Sequence, residues 1–271
     1  MFRRMSIKDL YVQLIVVNLI IFLFANIARS LGSSLFIDWF ALPFENPLSK
    51  FWTIITYNFL HQDFGHVFNN MIILLLFGSL TQYFFKKQSI LSIYLLGGIA
   101  GAILMLVVGK SMGTESVVIG ASCAVFAIMV AATVYQPNYT VNLIIIGPVK
   151  LKWITLTLVV LTVVINFTCN IMGNIGHIGG GLFGLFYGLQ YRKGKNIAYG
   201  MDKWFKKIGL GTGVSQPNSP HSTRSMTKKE LVDAARPKRS ASLNMDTILD
   251  KISKKGMSSL SKEEKDYLNN S

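Results

Sequence analysis

Ser122 stands in Gly120-Ala121-Ser122-Cys123-Ala124-Val125-Phe126, and His177 in Gly176-His177-Ile178-Gly179-Gly180-Gly181. A serine hydroxyl is a weak nucleophile until a base takes its proton, and histidine is the side chain suited to that task near neutral pH. His66 and Asn70 lie four residues apart, so on a helix they share one face. Both can donate hydrogen bonds to a developing oxyanion. The amide of Ser122, in the first turn of its helix, adds a donor at the positive end of the helix dipole. Together these types fit acyl transfer, with Ser122 as nucleophile, His177 as base, and His66 and Asn70 as charge stabilisers. Each also has a plainer use. Ser122 can cap a helix, His177 can bond a carbonyl, and His66 with Asn70 can join membrane helices.

The elements that must carry these groups are apolar. Of 271 residues, 51% are hydrophobic and only 15% charged, against about 25% charged in soluble domains. A mean hydropathy of +0.43 speaks against a soluble globular domain. Crossing a bilayer takes roughly 20 predominantly apolar residues per helix, and six stretches qualify: about 10–29, 67–85, 90–109, 117–135, 152–170 and 175–191. The first follows Arg3, Arg4 and Lys8 but is too long for a signal h-region and lacks a clear cleavage site, so it reads as a retained span. Lys86 and Lys87, Lys150 and Lys152, and Arg192, Lys193 and Lys195 fall on the same side of the six-span layout as Arg3, Arg4 and Lys8. That side is the cytoplasm by the positive-inside rule, with both termini on it. Spans two, four and six then open at the outer side, which places His66, Ser122 and His177 in one layer. Between spans one and two, Ser30–His66 carries Trp39, Trp52 and several phenylalanines. So aromatic a loop belongs in the membrane interface.

No Asp or Glu falls within the six stretches and no H-E-x-x-H occurs. An aspartyl or zinc intramembrane protease is thereby excluded, and a proton-coupled transporter, which keeps buried ionisable groups, is disfavoured. No metal or other cofactor is called for. Cys123 and Cys169 are too few for a disulfide framework. A pI near 9.8 raises nucleic acid as a partner, but no such fold signature accompanies it. Gly176, Gly180, Gly184 and Gly188 repeat every fourth residue, a spacing that lets two membrane helices approach closely. Gly180 and Gly184 are read as the packing positions that bring His177 against Ser122.

With His66-x-x-x-Asn70, Gly120-x-Ser122, and His177 followed by Gly180-x-x-x-Gly184, the chain resembles the rhomboid family of intramembrane serine proteases over roughly residues 10–191. His61, five residues before His66, matches as well. The resemblance implies an all-α, polytopic six-transmembrane-helix bundle with a Ser122/His177 dyad and no triad acid. The oxyanion hole would be His66, Asn70 and the Ser122 amide, with span five beside a lateral gate. It implies an endopeptidase acting on transmembrane protein substrates, without cofactor, in a bacterial inner membrane. Three positions depart from the family pattern. Trp52-Thr53 replaces a Trp-Arg pair, Cys123 replaces the glycine after the nucleophile and adds a side chain beside the oxyanion hole, and Phe126 replaces a tyrosine on the histidine. The alternative is a catalytically inactive relative that binds membrane clients.

Three segments follow: 1–191, the membrane domain; 192–240, a basic cytoplasmic linker, largely disordered; and 241–271, a short cytoplasmic helical segment. Residues 192–271 carry 17 Lys and Arg against 8 Asp and Glu, which makes anionic lipid their expected partner. Trp204, Phe205, Ile208 and Leu210 among lysines allow a short interfacial helix instead of disorder. Two short helices are expected around Gly256, the second with a Ser261/Glu264 capping box.

Overall fold

The computed structural model describes residues 6–114, 116–143, 146–164, 170–211 and 245–269. Four long helices frame it: α1 (Leu10–Ser30), α4 (Phe64–Phe84), α5 (Ser89–Ser111) and α8 (Ile171–Arg192). Between α1 and α4 the chain makes α2 (Leu35–Phe40), a 3-10 turn at Pro47–Lys50, α3 (Thr53–Thr56) and a second 3-10 turn at Tyr57–Phe59. The shorter helices α6 (Ser122–Tyr135) and α7 (Leu151–Val159) follow α5, with a π-helical turn at Val160–Val164 after α7. Two small antiparallel ladders interrupt the helical pattern. Leu42–Pro43 (β1) pairs with Val117–Val118 (β2), and Thr140–Leu143 (β3) with Gly147–Lys150 (β4).

Polar side chains set where the helices begin. Asp9 precedes α1, is buried, and accepts from Ser6 N and from Gln82 Nε2 of α4 (2.7 Å). Asp63 caps α4 by accepting from His66 N (2.9 Å), and Asn170 caps α8 by accepting from Gly173 N (2.9 Å). Asp63 and Asn170 each satisfy a backbone donor that a helix start leaves unpaired; at α1 that part falls to Gln82 Oε1, which accepts from Leu10 N (3.0 Å).

α6 forms the middle of the bundle. From Cys123 to Met129 every side chain is buried, and α4, α5, α7 and α8 all pack on it. Its small residues admit close neighbours. A Cβ added at Gly180 or Gly184 would run into the main-chain carbonyl oxygens of Cys123 and Ala127, and one at Gly188 would lie 2.9 Å from that of Ala131. The glycine ladder of α8 therefore lies backbone to backbone on α6, as small-residue packing in membranes allows.

Among the described residues, three helices, α1, α4 and α5, are long and apolar enough to cross a membrane. α8 has their length but is not among the three, since glycines and polar groups such as Asn174, His177 and Gln190 dilute its apolar content. The stretch read as a span at 117–135 yields a helix only from Ser122, because Val117–Val118 is drawn into a strand pair. Fourteen residues of α6 rise only about 21 Å. The described part of the fifth stretch is α7 with its π-helical turn; positions 165–169 lie outside the described residues.

Within the segment read as a linker, Tyr199–Lys207 forms a helix, α9, while 212–244 lies outside the described residues. Residues 220–271 form a separate compact unit. There α10 (Met245–Lys255) and α11 (Lys262–Asn269) flank Gly256, whose φ of +77° suits glycine. Ile248 and Leu260 are buried in it, and Lys251 Nζ meets Glu264 at 2.8 Å. Ser261 N donates to Glu264 Oε2 (2.7 Å) and Glu264 N to Ser261 Oγ (3.3 Å), the reciprocal bonds of a capping box.

Candidate active site

Gly120 fixes how Ser122 enters α6. Its φ of +140° is a conformation that side chains rarely adopt, and its N–H donates to the Tyr57 carbonyl (3.0 Å). A Cβ there would stand 2.9 Å from His66 Cε1 and Nε2 and 3.7 Å from Ser122 Oγ. The His66 ring and the Ser122 hydroxyl therefore flank the same glycine. Gln62 N points its hydrogen at His66 Nδ1 (3.4 Å). With Nδ1 accepting, the neutral ring carries its proton on Nε2, the atom that faces Gly120.

Asn70 is buried one turn after His66, and its Nδ2 donates to the His66 carbonyl at 2.9 Å. A carboxamide nitrogen has two hydrogens, so a second donor remains. Asn69, beside it, is exposed.

His177 reaches the same end of α6 through α8. Gly176 and Gly180 pack on Cys123, with an added Cβ at Gly176 only 2.6 Å from Cys123 Sγ. The intervening His177 ring is buried and stacks on Phe126, 4.4 Å between centroids and 5° from parallel. Phe126 is one turn beyond Ser122, on its face of the helix. His177 Nδ1 is buried with no hydrogen-bond partner among the described residues. Here the stack holds the ring plane, in the place where many serine hydrolases use a carboxylate on Nδ1.

The loop between α1 and α4 is locked to the bundle below it. Tyr57 Oη donates to the Gly98 carbonyl (2.7 Å) while its own carbonyl holds Gly120. Tyr94 Oη donates to the Asn58 carbonyl (2.9 Å), and Asn18 Nδ2 donates to Tyr94 Oη (3.2 Å). His61 is buried 5.1 Å from the His66 ring. Burial, and then the charge that His66 would carry, hold His61 down to about 3. Trp52 Nε1 donates to the Trp39 carbonyl (2.8 Å), and the buried Thr53 hydroxyl donates to the Lys50 carbonyl (2.6 Å). A short local bond thus stands where the resemblance expects an arginine.

Cys123 departs from the reading that set its side chain beside the oxyanion hole. It is buried with Tyr57, Met105 and Ala102, and a Cβ on Gly101 would fall 2.9 Å from its sulfur. On a helix the next residue turns about 100° away, so Ser122 faces His66 while Cys123 faces α5 and α8. Sequence reading missed the Asn18–Tyr94–Asn58 chain and the double role of Tyr57. Nothing marks Tyr57 out in an aromatic loop; only Asn18, the one amide between Leu14 and Ala25, gave a signal.

The Rhomboid domain model matches residues 48–194, which spans His66, Asn70, Ser122 and His177. The chain belongs to the rhomboid family. Residues 236–270 match a family of unknown function, DUF6576, and contain α10 and α11. The chain is 27% identical over 208 residues to RHOMBOID-like protein 12, mitochondrial, of Arabidopsis thaliana. The match covers 70% of this chain and 61% of that relative, so this rhomboid spans under two thirds of its length.

Proposed function

We propose that this rhomboid is an intramembrane serine endopeptidase with a Ser122/His177 dyad. The observation that carries the reading is the stack of His177 on Phe126, one turn from Ser122 on the same face of α6. Ser122 Oγ attacks a peptide carbonyl carbon as His177 Nε2 takes the hydroxyl proton. The negative oxygen of the tetrahedral intermediate lies among the Ser122 amide, the His66 Nε2–H and Asn70. Collapse breaks the C–N bond, and His177 returns its proton to the leaving amine. Water, deprotonated by His177, then hydrolyses the acyl ester and restores Ser122.

Substrates are transmembrane segments of other proteins, unwound near the level of Ser122, where Gly or Pro lowers the cost of exposing an amide. Six spans with both termini in the cytoplasm, in a bacterial inner membrane, complete the reading. α8 counts as a span in it because protein, not lipid, covers polar groups such as Asn174 and His177, and α6, short as it is, because α4, α5, α7 and α8 surround it.

Cleavage of a reconstituted membrane substrate tests this. Ser122→Ala and His177→Ala each abolish product, and the double variant loses little more, since nucleophile and base act as a unit. Cleavage by pure Ser122→Ala at the parent rate overturns the dyad and favours a client-binding relative.

A further inference from the structure

α9 is held at the end of the bundle opposite Ser122. Its Asp202 is buried, and the carboxylate accepts from Ser89 Oγ (2.7 Å), Ser92 Oγ (2.5 Å) and Asn196 Nδ2 (2.7 Å). Phe205 is buried beside it, and Gln88 Nε2 donates to the Leu210 carbonyl (3.1 Å). Lys86 Nζ sits 5.0 Å from the Tyr199 ring. A Cβ on Gly211 would lie 3.0 Å from Leu10 Cδ1. The strap from Asn196 to Gly211 therefore runs at the level where α1 and α5 begin. Two helices long enough to span a bilayer start there, so the headgroup layer lies at that level.

The docked face uses only part of the helix. At 100° per residue, Ala198, Met201, Asp202 and Phe205 fall in one sector, the one turned to the bundle. Trp204 and Ile208, one turn apart in the neighbouring sector, are 56% and 52% exposed. Lys203, Lys206 and Lys207 lie in the remainder, with Tyr199 and Gly200, and all five are exposed. Lys8, Arg192, Lys193 and Lys195, near the same helix ends, are exposed too. An apolar strip holding a tryptophan, edged by lysines at bilayer-surface depth, matches the chemistry of an interfacial helix on anionic headgroups.

We propose that α9 is a fixed lipid-binding platform, with Trp204 and Ile208 in the headgroup–acyl boundary and Lys203, Lys206 and Lys207 on anionic headgroups. The Asp202 bonds hold it at the depth that makes this contact. The proposal does not depend on the protease reading, since no part of the Ser122 site enters it.

The test is chymotrypsin cleavage after Trp204 in the full chain, in nanodiscs of phosphatidylcholine alone or mixed with phosphatidylglycerol. Cleavage after Tyr267, in the separate C-terminal unit, normalises for protease access to the disc. Headgroup attraction of roughly fivefold per lysine makes the Trp204 rate fall by about 100-fold on adding phosphatidylglycerol. In the triple variant Lys203→Gln, Lys206→Gln, Lys207→Gln, which leaves the Asp202 bonds intact, the fall disappears. Equal relative rates in the two discs, or full protection retained by the triple variant, overturn the proposal.

Discussion

Adjacent residues on α6 meet opposite surroundings. Ser122 is half-buried at the Gly120 turn, while Cys123 fills a gap between α5 and α8. Cys123→Gly therefore opens a cavity away from the His66 side and adds glycine's helix cost of about 1 kcal/mol. The expected result is a loss of roughly 2 kcal/mol in stability, with the turnover of the folded fraction little changed. Thermal unfolding in detergent beside initial-rate measurements checks it, and a stability equal to the parent's contradicts it. His61 gives a pH signature. Folded His61 stays neutral down to about pH 3, whereas the unfolded chain takes up that proton near histidine's ordinary value of 6.5. Its contribution is thus present above about pH 6.5 and drains as pH falls toward about 3, by at most about 1.4 kcal/mol per pH unit. His61→Phe should flatten the acid limb of a plot of unfolding midpoint against pH. Parallel limbs would show that His61 does not titrate this way.

Helices deliver these residues through one contact, the ladder of α8 on α6. Gly184→Leu drives a side chain into the Ala127 carbonyl, which backbone cannot give way to cheaply. The expected outcome is a bundle that loses the His177–Phe126 stack, with activity below detection and a lowered unfolding midpoint. Gly181→Leu is the control, because a Cβ there meets only Val130, at 3.8 Å. Equal effects at both positions would remove the ladder from the account. The ladder was legible in the sequence because a four-residue glycine repeat has one economical use in a helix. So were His66-x-x-x-Asn70 and the capping box at Ser261. Apolar content alone did not give the start of α6. Val117 and Val118 read equally well as span or strand, and only Leu42–Pro43, distant in sequence, decides between them. The site's floor, with Tyr57 bonded to Gly98 and Gly120, was illegible for the same reason. Long-range backbone partners leave no local pattern.

At the scale of the whole chain, all the groups assigned to chemistry lie before α9, and residues 220–271 form their own unit. Truncation after Gly211 keeps α9 with its Asp202 bonds and removes α10 and α11. It should leave a membrane-inserted protein with unchanged turnover in detergent; complete loss with the bundle still folded would make the C-terminal unit part of catalysis. The central claim, that Ser122 is an activated nucleophile, is tested most directly by covalent labelling. A fluorophosphonate probe is applied to the purified protein, and the adduct is located by peptide mass spectrometry. The account predicts one adduct, on Ser122, absent in Ser122→Ala and strongly slowed in His177→Ala. A folded parent that takes no label, or a label that persists in Ser122→Ala, would contradict it.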